Sequence, residues 1–361
     1  MDARRVILIC PLYWGLGHAS RDIPVIRRLL KHNYRVIVAG EQPVLDLVSA
    51  EFPCIETELL QGKHILYSKG NSQTLQLLRQ LPSALLWVYR EKKLTAELVK
   101  KYNPVCIISD NRYGVRHPKV KSVIITHQLM LKLPRLRKWF EKPVNSLIKR
   151  LVSQFDLCWI PDNLPPYSLA GDLAHKYPLP ANARFTGALS RFMDAYPSCF
   201  SSEKYDVLVI ISGPEPQRTL LQTMLIEKLS SENVKCLMVA GTLKEQDVPP
   251  SPSNIKIVPH LESSALAGYI ANTPIVISRS GYTTIMDLWF LQKSAVLIPT
   301  PGQTEQEYLA KRSHLFYHTF LSQHEIASFN FAQSPVHNNS SRLPFSFGNL
   351  LDKAVEEIAN F

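Results

Sequence analysis

Short runs of β-branched and other apolar residues alternate along the chain with longer stretches whose apolar positions recur at helical spacing. Runs at 6–10, 35–39, 105–109, 122–126 and 157–160 read as one set of strands, and runs at 207–212, 235–240, 255–258, 274–278 and 295–299 as a second. Strands alternating with helical stretches predict parallel sheets joined by crossover helices. The pattern occurs twice, and a polar stretch without periodicity at 194–203 separates the two sets. This predicts an α/β protein of two Rossmann-like doubly wound domains, 1–193 and 204–361, facing each other across a cleft. In such sheets ligands lie beyond the carboxyl ends of the strands, so the residues that follow each strand are the place to look for chemistry. Residues 329–349, rich in Ser, Asn and Pro, read as irregular, and 350–361 as helical.

Length agrees with this division, because 361 residues exceed what one core usually serves. Hydrophobic residues at 45% and charged residues at 20% are ordinary globular usage. No apolar run approaches the roughly 20 residues that span a bilayer, and the chain enters a strand pattern at once, so a cytoplasmic protein is expected. Six scattered cysteines without a CxxC pair read as reduced core thiols rather than zinc ligands or disulfides. Charge changes the picture more. The net +11 is unevenly spread: residues 1–193 hold 29 Lys and Arg against 14 Asp and Glu, the rest 12 against 16. A basic first half attracts something anionic, whether acidic lipid or a phosphorylated substrate. No nucleic-acid recognition motif accompanies the charge, and no nucleic-acid partner is expected.

Candidate chemistry falls after the strands. Gly15-Leu16-Gly17-His18-Ala19-Ser20-Arg21 follows the first strand and opens a helix, where Gly15 and Gly17 let backbone approach a ligand and free N–H groups face an anion. His18 has the ordinary pKa of a general base near neutrality. Asp110 ends the third strand and can orient the imidazole, with Arg112 beyond it. His127 and Gln128 follow the next strand as further cleft candidates, His127 as a second base. In the second half Ser212-Gly213 follows a strand and precedes a helical stretch. Arg279-Ser280-Gly281-Tyr282-Thr283-Thr284 stands at a helix start suited to phosphate, and Asp287 follows one turn later, within reach of ribose hydroxyls. Glu305 and Gln306, at the next helix start, can fork onto sugar hydroxyls.

Taken in order, these segments resemble the GT-B glycosyltransferases, most closely family 28 and its lipid-linked N-acetylglucosaminyltransferases of peptidoglycan synthesis. Residues 15–21 are similar to the family's N-terminal glycine-rich loop, Thr186-Gly187 to the segment before the linker, and Ser212-Gly213 to the first donor-domain loop. The stretch from Arg279 to Asp287 is similar to the donor motif, Glu305-Gln306 to the pair that holds the donor sugar, and His260-Leu261 to the place where backbone reads the base. Asp287 stands where glutamate is more usual, Leu309 where asparagine is common, and Pro214 and Pro216 in a loop often richer in glycine. The resemblance implies an acceptor-binding first domain, a donor-binding second domain, and inverting transfer from a nucleotide-diphosphate sugar, UDP foremost. In that reading His18 is the base and Asp110 its orienter, and no metal or other cofactor is implied. A nucleotide-sugar hydrolase and a non-catalytic sugar-nucleotide or membrane-binding subunit share the fold and stay open as alternatives.

Between Lys132 and Arg150 basic residues alternate with Leu133, Leu136, Trp139, Phe140, Val144 and Leu147. Such a mixture suits an anionic membrane surface on the inner face of the cell membrane, which would present a lipid-linked acceptor. The segment 61–73, with Lys63, His64, Tyr67 and Lys69, is placed to choose the acceptor.

Overall fold

The computed structural model describes residues 4–62, 81–133, 139, 141–193, 203–243, 246, 248–331 and 348–360. Most of the expected linker (194–202) and most of the acceptor-choosing segment (63–73) lie outside them. So do 134–138 and 140 of the basic stretch, and 332–347 of the irregular one.

Two parallel sheets carry the chain. The first contains β1 (Val6–Pro11), β2 (Arg35–Gly40), β3 (Glu56–Leu59), β4 (Cys106–Asp110), β5 (Lys121–Ile125), β6 (Leu157–Ile160) and β7 (Ala183–Phe185), in the order β3-β2-β1-β4-β5-β6-β7. The second contains β8 (Val207–Ile210), β9 (Cys236–Val239), β10 (Ile255–Val258), β11 (Ile275–Ser278), β12 (Val296–Leu297) and β13 (Thr319–Phe320), in the order β10-β9-β8-β11-β12-β13. Every described pair is parallel. Each order reverses once, between β1 and β4 and between β8 and β11, so each sheet has a switch point where a crevice opens. The loops after β1 and β4 therefore confront those after β8 and β11. The expected strands are all present. β3, β7 and β13 were not expected; they are edge or near-edge strands of two to four residues whose positions are largely open to solvent, so they lack an apolar run.

The crossovers are α1 (Gly17–Lys31), α2 (Gln42–Glu51), α3 (Leu81–Tyr102), α4 (Glu141–Val152) and the short α5 (Asp172–His175) in the first half. In the second they are α6 (Gln217–Ser230), α7 (Ser263–Asn272), α8 (Tyr282–Phe290) and α9 (Thr304–Arg312), with α10 (Gly348–Ala359) closing the chain. β1 alternates strictly, as a strand between two helical layers must. Ile7 and Ile9 join Ala19, Val25 and Ile26 of α1, whereas Val6, Leu8 and Cys10 face Leu98 of α3. The largest core runs through both halves, with Leu189, Phe192 and Met193 packed in one cluster with Ile285, Met286 and Leu288 of α8. Of the six cysteines, Cys10, Cys106, Cys158 and Cys236 are buried free thiols, while Cys54 is exposed.

One domain boundary is corrected. Residues 350–361 were expected in the C-terminal domain, but α10 returns to the N-terminal one. Leu351, Ala354, Val355 and Ile358 enter the central core, Arg28 meets Asp352 at 3.0 Å, and Arg184 meets Glu357 at 3.0 Å. The apolar stripe of α10 is satisfied beside α1 and β7. No described helix is long and apolar enough to cross a membrane.

Candidate active site between the two sheets

The loop after β1 reaches α1 through Gly15, whose φ of 101° favours glycine. Gly213, after β8, has φ 110°, and a Cβ built on Gly15 would meet its backbone at 3.9 Å. Two glycine turns thus face each other across the crevice. His18, in the first turn of α1, holds Nδ1 3.1 Å from Asp110 Oδ2 at the end of β4. Arg21, one turn on, grips the same carboxylate with Nε at 2.8 Å and with Nη2, and brings Nη2 within 2.9 Å of His18 Nδ1. One nitrogen cannot both donate to Asp110 and accept from Arg21. With its proton on Nδ1 the ring donates to Asp110 and leaves Nε2 as a lone-pair base; with its proton on Nε2 it accepts from Arg21. Nε2 makes no hydrogen bond among the described residues.

Electrostatics set these groups apart. Burial lowers the His18 pKa below its ordinary 6.5; Asp110 pulls it up, Arg21 and His127 push it down, and the balance stays low. Burial alone would raise Asp110, but Arg21 and the His18 contact outweigh it and hold the carboxyl below its usual range. Asp22 differs. It is fully buried with both oxygens unpartnered, and burial reinforced by Asp110 raises its pKa well above the usual value, against the pull of Arg21. Near pH 7 His18 is therefore a neutral imidazole beside the ionised Asp110 and the Arg21 guanidinium.

Arg112 does not join it. Asn111 turns the chain with φ 57°, and Arg112 is buried against Glu91 at 2.9 Å and the carbonyls of Leu60 and Gln61. The expected cleft role is replaced by a buried ion pair that also fixes Gly114 N–H through Glu91. His127 does join the cluster. Its Nδ1 lies 3.2 Å from Arg21 Nη1 and must accept, so Nε2 carries the proton and donates to Glu305 at 2.9 Å. The ring stacks on Tyr282 at 4.0 Å, and Tyr282 donates to the Pro161 carbonyl. With both nitrogens engaged, His127 has no free lone pair for the second-base role. Gln128 Nε2 donates to the other oxygen of Glu305.

On the opposite wall the polar side chains turn inward. Arg279, 1% exposed, donates to the carbonyls of Pro299 and Gln217 and to Gln323, and burial lowers its pKa to about 10. Ser280 Oγ donates to the Gln306 carbonyl, and Gln306 Oε1 accepts from Thr300 N–H at 2.8 Å. These three side chains brace neighbouring segments of the second half. Gly281 precedes α8, which has no side-chain cap, so the first-turn N–H groups beside Thr283 and Thr284 are left for an anion. Thr283 Oγ1 donates to the Gly17 carbonyl at 3.1 Å, tying α8 to the start of α1. Ser212 lies in the Gly213 turn at the end of β8. Asp287 is buried against the end of the first domain, accepting from Ser190 Oγ at 2.6 Å with Arg191 at 3.5 Å; burial, opposed by Arg191, raises its pKa to about 6. His260 also feels Arg191, and burial lowers it to about 4, while Leu261 packs against the core. The contacts that Ser190, Arg191 and Tyr282 make between the two halves were not expected from the sequence. Their partners lie about a hundred residues or more away, where no spacing rule reaches.

Residues 207–327 match the glycosyltransferase family 28 C-terminal domain. A curated relative from Amoebophilus asiaticus (strain 5a2), UDP-N-acetylglucosamine--N-acetylmuramyl-(pentapeptide) pyrophosphoryl-undecaprenol N-acetylglucosamine transferase, is 40% identical over 64 residues, which is 18% of this chain and 17% of the relative. Among solved structures, the calicheamicin glycosyltransferase CalG4 superposes with a TM-score of 0.58 at 12% identity, covering 99% of this chain and 95% of that one. UDP-GlcNAc 2-epimerase from Neisseria meningitidis, bound to UDP-GlcNAc, gives 0.56 at 14% identity over 99% and 100%. At such identities the likeness shows fold. The fold is GT-B, and residues 207–327 are similar to the glycosyltransferase family 28 C-terminal domain.

Proposed function

We propose that the protein is an inverting, metal-independent glycosyltransferase that moves a sugar from a nucleotide-diphosphate donor, UDP-linked for preference, to a hydroxyl on a lipid-linked acceptor. The observation that carries this is His18 held against Asp110 directly across from the Gly213 turn and the uncapped start of α8. His18 Nε2 takes the acceptor proton, the acceptor oxygen attacks the anomeric carbon from the face opposite the diphosphate, and the diphosphate leaves with the bonding pair. Asp110 stabilises the imidazolium that forms. The charge growing on the leaving group is met by N–H groups of α8 and the glycine turns, in a site preorganised for it.

Support for a lipid-borne acceptor comes from the basic first half. Leu86 and Tyr89 on α3 are 75% and 63% exposed beside the exposed Arg90, Lys92 and Lys93, and Trp139 is 70% exposed before the basic α4. Aromatic and basic residues together suit an anionic headgroup layer, so we place the protein at the inner membrane surface.

The test is release of nucleotide diphosphate from a panel of nucleotide sugars, with and without a membrane-lipid extract and with and without a chelator. Release that requires the extract, survives the chelator and collapses in His18→Ala is the expected result. Release without acceptor identifies a nucleotide-sugar hydrolase instead, and donor binding without turnover a non-catalytic subunit.

A further inference from the structure

Glu305 is the residue that the sequence, read with its resemblance to family 28, gives to the donor sugar, yet both its oxygens already accept from the other half of the molecule. Oε1 accepts from His127 Nε2 at 2.9 Å and Oε2 from Gln128 Nε2. The grip is built rather than incidental. His127 is 8% exposed, stacked on Tyr282 and held by Arg21, which Asp110 fixes in turn. Its tautomer is set by Arg21, which can only donate, so the ring must present N–H to Glu305. Two N–H donors on the two oxygens of one carboxylate are the pattern that two sugar hydroxyls would make.

We propose that His127 and Gln128 form a clasp that occupies the donor-sugar carboxylate while the cleft is empty, and that the donor sugar binds by displacing it. The inference rests on the donor role of Glu305. Beneath His127 and Gln128 the Glu305 side chain is 17% exposed, so a sugar reaches it only where the clasp gives way, and the clasped state competes with the sugar but not with the nucleotide part, for which α8 and the Gly213 turn are proposed. The fraction of molecules unclasped scales the apparent affinity for the sugar nucleotide. His127 and Gln128 are thus positioning residues that tie donor entry to parting of the two halves, and Arg21 links the same clasp to His18.

Calorimetric titration of the full chain with UDP and with a UDP-hexose the parent binds separates the parts. Gln128→Ala is expected to tighten UDP-hexose binding by about ten- to hundredfold, the weight of one hydrogen bond to a carboxylate, and to leave UDP binding unchanged. Unchanged or weaker hexose binding, or an equal change for both ligands, overturns the clasp. A second variant, Gln128→Glu, sets a like charge against Glu305 and is expected to enlarge the radius of gyration of the empty protein in X-ray scattering, with donor restoring the compact form. An empty protein no larger than the parent overturns the clasp as well. If the parent binds neither ligand, the donor assignment itself fails, and the scattering result still judges the contact.

Discussion

The two walls of the cleft use their polar residues in opposite ways. On the N-terminal wall His18, Arg21, Asp110 and His127 turn toward one another, so that the neighbours of His18 act on its protonation. On the C-terminal wall Arg279, Ser280 and Gln306, all prominent in the sequence, are spent on carbonyls and N–H groups of neighbouring segments, and what they leave for a diphosphate is backbone. The difference follows from what each wall must do. Proton transfer needs a titratable atom that the fold can tune, whereas a diphosphate is held well by fixed dipoles that need no tuning. A conspicuous side chain beside a phosphate site can therefore be a brace for the loop whose N–H groups bind.

The largest expected effect breaks or keeps the N-terminal side of the contrast. His18→Ala should lower turnover by about 10²–10⁴-fold, the usual share of a positioned base, with little change in melting temperature. In the parent the rate should persist below pH 6.5 and fall as pH drops through the lowered His18 value, because only the neutral ring accepts a proton. A rate profile that rises toward acid would assign His18 to the acid role. Next in size, Arg279→Met should cost about 2–4 kcal/mol of stability, since it strands several buried acceptors. Denaturant unfolding measures this, and normal stability with lost donor affinity would make Arg279 a ligand contact and erase the contrast.

What the sequence made legible follows the same division. Ten strands were readable from their apolar runs, all but the edge strand β10 largely buried, and β3, with Glu56, Thr57 and Glu58, was not because it is an open edge. His18 and Asp110 were readable because one stands at the helix start after β1 and the other ends β4, and these adjacent parallel strands deliver both to one crevice. The same rule misled at Arg112. One left-handed residue, Asn111, sends it to Glu91. Contacts such as His127 with Glu305, 178 positions apart, depend on how two domains close, which no local pattern records.

A third test uses pH on the C-terminal half. His318 is buried with Nδ1 accepting from Ala295 N–H, and burial lowers its pKa to about 4 from 6.5. Its folded value lies below its unfolded one, so the unfolded chain binds the extra proton first. The contribution to stability is whole above pH 6.5 and shrinks by about 3 kcal/mol as pH falls to 4. Asp287, raised to about 6, acts oppositely over nearly the same range. The measurement is therefore the difference between the parent and His318→Gln, whose amide can still accept from Ala295. That difference should shift by about 3 kcal/mol against the parent between pH 6.5 and pH 4, and a flat difference would show that the imidazole is not what titrates.

The smallest effect addresses the one acidic side chain that stands between the two patterns. Asp287 occupies the place of a ribose-binding acid, yet it accepts from Ser190 Oγ and lies beside Arg191, at the end of the first domain. As a brace it should respond to Ser190→Ala with a loss of about 1 kcal/mol and a further rise of its own pKa, since the Ser190 hydroxyl favours the ionised form. The pH dependence of unfolding in the variant, set against the parent, reads both. Donor affinity gives the decisive comparison. A carboxylate freed from Ser190 to reach a ribose should bind a ribonucleotide sugar better than the parent does and a 2′-deoxy analogue no better. Equal responses to both would leave Asp287 with Arg279 and Gln306, as part of the frame that shapes the donor wall without touching the donor.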